Sequence, residues 1–220
     1  MKIAITGAKG VVGTALINNL DPKKFDVTPI DLPEYDASDQ GQLVEATKGH
    51  DALVHLAWKS LRDNYSSGSI DTMNDQMLFN AYQAAVINKI PRVIMASSNH
   101  AHRHDIRDKD GMIRSSIEPP VPDSPYGAEK VFMEALGRYF ANTHSLEVIC
   151  LRIGNVNSEN KPKPDSPRDP LRWLSHKDLG RLVTCCLGAK SIPDNFQIVY
   201  GVSNQKVFDW SNPFGYVPQD

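Results

Sequence analysis

The chain begins Met1-Lys2-Ile3-Ala4-Ile5-Thr6, turns at Gly7-Ala8-Lys9-Gly10, and runs on as Val11-Val12-Gly13-Thr14-Ala15-Leu16. Lys2 to Thr6 reads as a buried strand, and the apolar spacing from Val11 to Leu20 as a helix. Glycines at positions 7, 10 and 13 make a turn whose backbone can approach a pyrophosphate. The start of a helix then offers N–H groups and a partial positive charge to it. The spacing is GxxGxxG rather than GxGxxG, and a purely structural strand-to-helix turn would also accept it.

Outward from this turn, apolar β-branched runs alternate with amphipathic stretches. Strands are expected at Lys2 to Thr6, Asp26 to Asp31, Ala52 to Ala57, Arg92 to Ser97, Glu147 to Ile153 and Phe196 to Tyr200. Helices are expected at Val11 to Leu20, Gln40 to Thr47, Thr72 to Asn88, Tyr126 to Thr143 and Lys177 to Leu187. Strand and helix in alternation imply βαβ units. Continuous apolar strands imply a parallel sheet covered on both faces, an α/β doubly wound fold. Prolines crowd residues 119–125 and 162–170, marking two long loops on the approach to the carboxyl side of the sheet, where such folds bind ligands.

A length of 220 residues suits one domain. With 24 basic against 26 acidic residues and no basic run, nucleic acid is not an expected partner. No apolar run reaches the roughly 18 residues of a membrane span, and the N-terminus has no signal h-region, so a cytoplasmic protein without membrane contact is expected. Cys150, Cys185 and Cys186 are odd in number and sit in apolar segments, which reads as core packing rather than disulfides or a metal site.

Asp31 follows Gly13 by eighteen positions, near the roughly 20-residue offset at which an acid bonds the adenosine ribose. Its charge repels a 2′-phosphate and favours NAD over NADP, although Lys9 could partly offset that repulsion. Asp36 is a candidate for the adenine edge, and equally a solvated loop acid. Tyr126 and Lys130 lie at i and i+4 on one helix face. A neighbouring ammonium, with a nicotinamide charge, would bring the phenol toward a useful general base. Ser98 leaves the fourth strand toward the same cleft; it could hold the substrate oxygen or merely cap the strand end. His100 reads as a substrate contact, whereas His102 and His104 read as solvated, and no metal set is credible. Trp173 and Trp210 read as packing residues, and Ser175 as a helix cap with Asp178 three positions on.

Gly7-x-x-Gly10-x-x-Gly13, Leu53-Val54-His55-Leu56-Ala57, Asn74, Ser98, Tyr126 and Lys130 together resemble the extended type of the short-chain dehydrogenase/reductase superfamily, the NAD-dependent epimerase/dehydratase family. The resemblance runs over nearly the whole chain. It implies a Rossmann-type fold, NAD as cofactor, and catalytic roles for Ser98, Tyr126, Lys130 and Asn74, the last supporting the lysine through water. By position it adds Val11, Val12, Leu32, Leu56, Ala57, Trp58, Ser97 and Ile153 to the cofactor site.

A narrower resemblance, to uronate dehydrogenases and related NAD-dependent sugar dehydrogenases, rests on Ser97 to His100, Leu151 to Gly154, Arg168 before Trp173 to His176, and Tyr200 to Asn204. It implies oxidation of a hexuronic acid at its anomeric carbon to a lactone. Ser60, Ser98, Asn99, His100, Asn155 and Arg168 would line the sugar, with Arg168 clamping the carboxylate. Asn155 departs from the serine of those enzymes, and Trp58 from a small residue. Lys161, Lys163 and Arg168 could instead receive a phosphate. An epimerase that retains its NAD is an alternative, a sugar-phosphate dehydrogenase another, and a non-enzymatic nucleotide sensor a third.

On this reading residues 1–153 mainly hold the cofactor and residues 154–220 mainly the substrate and the last strand. So short a second part speaks against nucleotide-sugars. Self-association through the two long helices is an expectation of the family, and the ending at Asp220 resembles a point inside the relatives' last segment.

Overall fold

The computed structural model describes residues 1–59, 68–102, 115–167, 169–203 and 208–220. Strands β1 (Lys2–Thr6), β2 (Asp26–Ile30), β3 (Ala52–His55), β4 (Arg92–Ser98), β5 (Glu147–Ile153) and β6 (Phe196–Gly201) alternate with helices α1 (Val11–Ile17), α2 (Gln40–Ala46), α3 (Thr72–Asn88), α4 (Pro125–His144) and α5 (His176–Gly188). The described strands form one parallel sheet in the order β2-β1-β3-β4-β5-β6. This is the expected α/β, Rossmann-type architecture. The chain leaves β1 toward β2 and returns across it to β3, so the switch point lies at the carboxyl end of β1, directly above the glycine turn.

The period of two along each strand divides the core. Ile3, Ile5, Val54, Ile94, Ile149 and Leu151 pack on one face with Leu16 of α1 and Leu179, Leu182 and Val183 of α5. Ala4, Leu53, Val93, Met95, Val148 and Cys150 pack on the other with Leu43 of α2, Leu78 and Tyr82 of α3, and Met133 and Phe140 of α4. Pro29 lies in β2, an edge strand, where a missing N–H leaves no gap in the ladder. Helix starts are capped as their sequences suggest: Asp39, Asp71, Ser124 and Ser175 each accept a backbone N–H of the first turn.

Some boundaries differ from expectation for local reasons. β3 stops at His55: the Leu56 N–H still donates to the Thr6 carbonyl at 3.1 Å, but the Ala57 N–H goes to the Thr6 hydroxyl at 3.3 Å. β2 stops at Ile30, leaving Asp31 just beyond the ladder rather than closing it. α1 ends at Ile17, where Asn18 caps it and the Asn19 amide donates to the Ala15 carbonyl at 2.8 Å. His102 is not solvated: it is 1% exposed, pairs in a short bridge with Val121, and its Nε2 lies 3.2 Å from Glu118. Among the described residues no helix is long and apolar enough to cross a membrane.

Candidate active site

The Thr6 hydroxyl, bonded to the segment after β3 and 2.8 Å from His55 Nδ1, ties the ends of β1 and β3 together where the glycine turn begins. Burial, with Lys130 nearby, pushes His55 down to about 3, so its ring stays neutral. Gly7 has φ +67°, and a Cβ there would lie 2.7 Å from the Ala57 nitrogen. At Gly13 a Cβ would come within 2.3 Å of the Gly7 carbonyl oxygen, so α1 can pass this close to the turn only without a side chain. Gly10 donates to the Gly7 carbonyl at 3.1 Å and caps α1 with no side chain of its own.

Beside this turn lies a cavity of about 570 Å³, lined by Gly7, Lys9, Gly10, Asp31, Leu32, Asp36, Ala57 and Trp58 among others. Asp31 Oδ2 accepts the Lys9 N–H at 2.7 Å and Oδ1 the Leu32 N–H at 2.8 Å, which fixes the carboxylate against the turn. The Lys9 ammonium is engaged elsewhere, donating to Glu34 and to the Leu32 carbonyl, each at 2.7 Å. It therefore does little to offset Asp31. Asp36 accepts the N–H and hydroxyl of Ser38, which orients it at the cavity rim. Cβ-free backbone, a fixed acid and a hollow of this size at the switch point fit a dinucleotide.

A second cavity, about 240 Å³, opens over the carboxyl ends of β4 and β5, lined by Val12, Ser97, Ser98, Asn99, His100, Tyr126, Lys130, Ile153, Asn155 and Arg172 among others. Leu56 and Trp58 line both cavities, which meet there. Tyr126 enters in the first turn of α4, whose cap Ser124 accepts the Gly127 N–H at 3.1 Å. Burial pushes Tyr126 up to about 12; the Ser98 hydroxyl opposes this by hydrogen bonding, while Glu129 and Asp123 add to it. Lys130, one turn on, donates to the Ala96 carbonyl at 2.7 Å. Burial pushes it down to about 7 against the pull of Glu129, Cys150 and Glu134.

The remaining expected residues divide. Ser98 accepts the His100 N–H at 3.2 Å, so it caps the short 3-10 turn Asn99–Ala101 as well as facing Tyr126. Asn99 is 2% exposed, and its Nδ2 has no acceptor among the described residues, an orphaned donor in the wall of the cavity. His100 Nδ1 donates to Asp123 at 2.8 Å. Asn155 donates to Asp169 at 2.7 Å, which commits its amide to the loop. Ser97 donates to Glu134 at 2.6 Å. Asn74 is fully buried and accepts the Lys59 N–H at 2.8 Å, so the direct bond it makes is to the segment after β3. Ser60, Arg168, His104 and Asn204 lie outside the described residues.

Sequence reading missed Asp123, Asp169 and Arg172. Asp123 lies beside the α4 cap, and Asp169 sits in the proline-rich loop. Arg172 lines the cavity and donates to Asp169 at 3.2 Å. Charged residues in loops already marked by proline were the available signal.

A parallel sheet with a glycine turn at its switch point, beside serine, tyrosine and lysine gathered over β4, defines an enzyme of the short-chain dehydrogenase/reductase superfamily. Residues 3–185 match the NAD dependent epimerase/dehydratase family, and the chain belongs to that family. It is 35% identical over 248 residues to an L-arabinose 1-dehydrogenase (NAD(P)(+)) of Haloferax volcanii, covering 100% of this chain and 96% of that protein. It is 30% identical over 256 residues to an NAD-dependent glucose-6-phosphate dehydrogenase of the same organism, covering 99% and 93%. The crystal structure of a mutant uronate dehydrogenase from Agrobacterium tumefaciens, complexed with NAD, superposes with a TM-score of 0.83 at 25% identity, over 100% of this chain and 84% of that one.

Proposed function

We propose that this chain oxidises a hydroxyl of a small sugar with NAD, and that its substrate is a hexuronic acid, oxidised at the anomeric carbon to a lactone. The observation that carries this reading is the meeting of Ser98, Tyr126 and Lys130 in a cavity that joins the Asp31 cavity at Leu56 and Trp58. Bound NAD supplies the hydride acceptor and a positive charge. Tyr126, as phenolate, takes the hydroxyl proton, while Ser98 donates a hydrogen bond to the same oxygen. Because burial alone leaves Tyr126 protonated at neutral pH, the Lys130 ammonium is needed to stabilise phenolate, and with NAD bound it would also hold the ribose. Asn99 offers to a sugar hydroxyl the Nδ2 that has no acceptor among the described residues, His100 adds a second polar contact, and Arg168 takes the carboxylate.

A volume of about 240 Å³ suits a single sugar ring better than a nucleotide-linked one. A sugar phosphate is the second reading, favoured by the glucose-6-phosphate relative. Lys161, one of the cations a phosphate would use, already lies 3.1 Å from Glu159. In this account residues 1–153 mainly serve the cofactor, residues 154–220 mainly the substrate, and the protein acts in the cytoplasm as a homo-oligomer. Tyr126→Phe tests the assignment: turnover should fall at least about a hundredfold, with NAD affinity by calorimetry unchanged. Retained turnover would remove Tyr126 from its role.

A further inference from the structure

We propose that Trp58 is a positioning residue of this site: the face of its indole keeps the Lys130 ammonium charged and against the Ala96 carbonyl, and its edge-to-face contact with Tyr126 fixes the phenol ring. Lys130 Nζ stands 3.5 Å from the centroid of the Trp58 ring while donating to Ala96 at 2.7 Å, so the ammonium lies between a strand carbonyl and an aromatic face. The Trp58 and Tyr126 rings meet edge to face at 85° with centroids 5.5 Å apart. One side chain thus touches both the base and the cation that activates it, and it does so where the two cavities join. Asn74 holds the backbone of the next residue, Lys59, through the 2.8 Å bond already described.

The charge balance around Lys130 gives this contact its weight. Lys130 is 4% exposed. The groups that face it are Glu129 and Glu134 from α4, Cys150 from β5, His55 from β3, and Tyr126 itself. Burial keeps the Cys150 thiol and the His55 ring neutral. Glu134 is bonded twice by Arg152 and once by Ser97, and Glu129 accepts the Asp71 N–H at 3.2 Å. Burial draws Lys130 down to about 7, and a desolvated indole face works the other way, since the ring attracts the charged form alone.

This role rests on the dehydrogenase reading, but its test does not require turnover. In the full chain without ligand, the Lys130 ammonium is titrated by heteronuclear NMR of isotope-labelled lysine, assigned with Lys130→Arg. Trp58→Leu should lower the midpoint by about one unit, and Trp58→Phe, a weaker ring, by a smaller amount. The phenylalanine variant carries the test alone if the leucine variant does not fold. An unchanged midpoint in a folded variant overturns the proposal, even if the enzyme is active. A lowered midpoint supports it, even if no uronate is turned over. With an active substrate, the rising limb of kcat against pH should also move to more alkaline pH in Trp58→Leu.

Discussion

The Arg152 guanidinium of β5 donates twice to the Glu134 carboxylate of α4, each bond 2.9 Å long, with both side chains almost wholly buried. Ser97 donates to the same carboxylate at 2.6 Å, and Tyr200 accepts from Arg152 at 3.2 Å. Glu134 lies one turn beyond Lys130, so this cluster pins the helix that carries Tyr126 and Lys130 to the strand that ends in Ser98.

Removing one partner leaves the other charge buried and alone. Arg152→Met should therefore cost on the order of 3–5 kcal/mol of folding stability, read by urea denaturation. A loss near zero would show that Glu134 finds another partner or takes up a proton.

The glycine turn makes a sharper demand. Gly13→Val places side-chain atoms beyond a Cβ that would itself lie 2.3 Å from the Gly7 carbonyl oxygen. The turn and α1 must move apart, and NAD affinity measured by calorimetry should fall at least about a hundredfold, some 2.7 kcal/mol. Unchanged affinity would place the cofactor elsewhere.

Asp31 presents its charge to the larger cavity while Lys9 is held by Glu34. Asp31→Asn keeps the size of the side chain and removes the charge. The ratio of kcat/KM with NADP to that with NAD should rise at least about tenfold, since one like-charge contact is worth about a pK unit. A ratio that does not change would remove Asp31 from cofactor selection.

Lys130 also sets a pH dependence of stability. Its ordinary value is 10.5, and in the fold it is drawn down to about 7. Below that point both folded and unfolded chains hold the proton. Between about 7 and 10.5 the unfolded chain binds more protons, so this group's contribution to stability rises with pH. From pH 7 to 9 the gain is on the order of 2 kcal/mol. Lys130→Met should flatten that rise in denaturation curves, and an equally steep rise in the variant would contradict the burial assigned to Lys130.

Much of this architecture is written in short-range pattern. β1, β5 and α3 begin and end where their apolar runs and caps say, because burial on both faces leaves little choice of residue. Tyr126 and Lys130 are legible together because helical spacing alone puts them on one face. What escapes the sequence depends on distant partners. His102 is buried by Glu118 and Val121, sixteen and nineteen residues away in the chain. Just past β3 the Ala57 N–H goes to a hydroxyl on β1, and the placing of Trp58 under Lys130 joins residues more than seventy positions apart. No local periodicity encodes such meetings.

The most direct test of the account is the appearance of reduced nicotinamide when the purified chain is mixed with NAD and a panel of hexuronates, neutral sugars and sugar phosphates. Reduction of NAD with a hexuronate, at a higher kcat/KM than with any other sugar, is the predicted result. NAD binding without reduction by any hexuronate would contradict it.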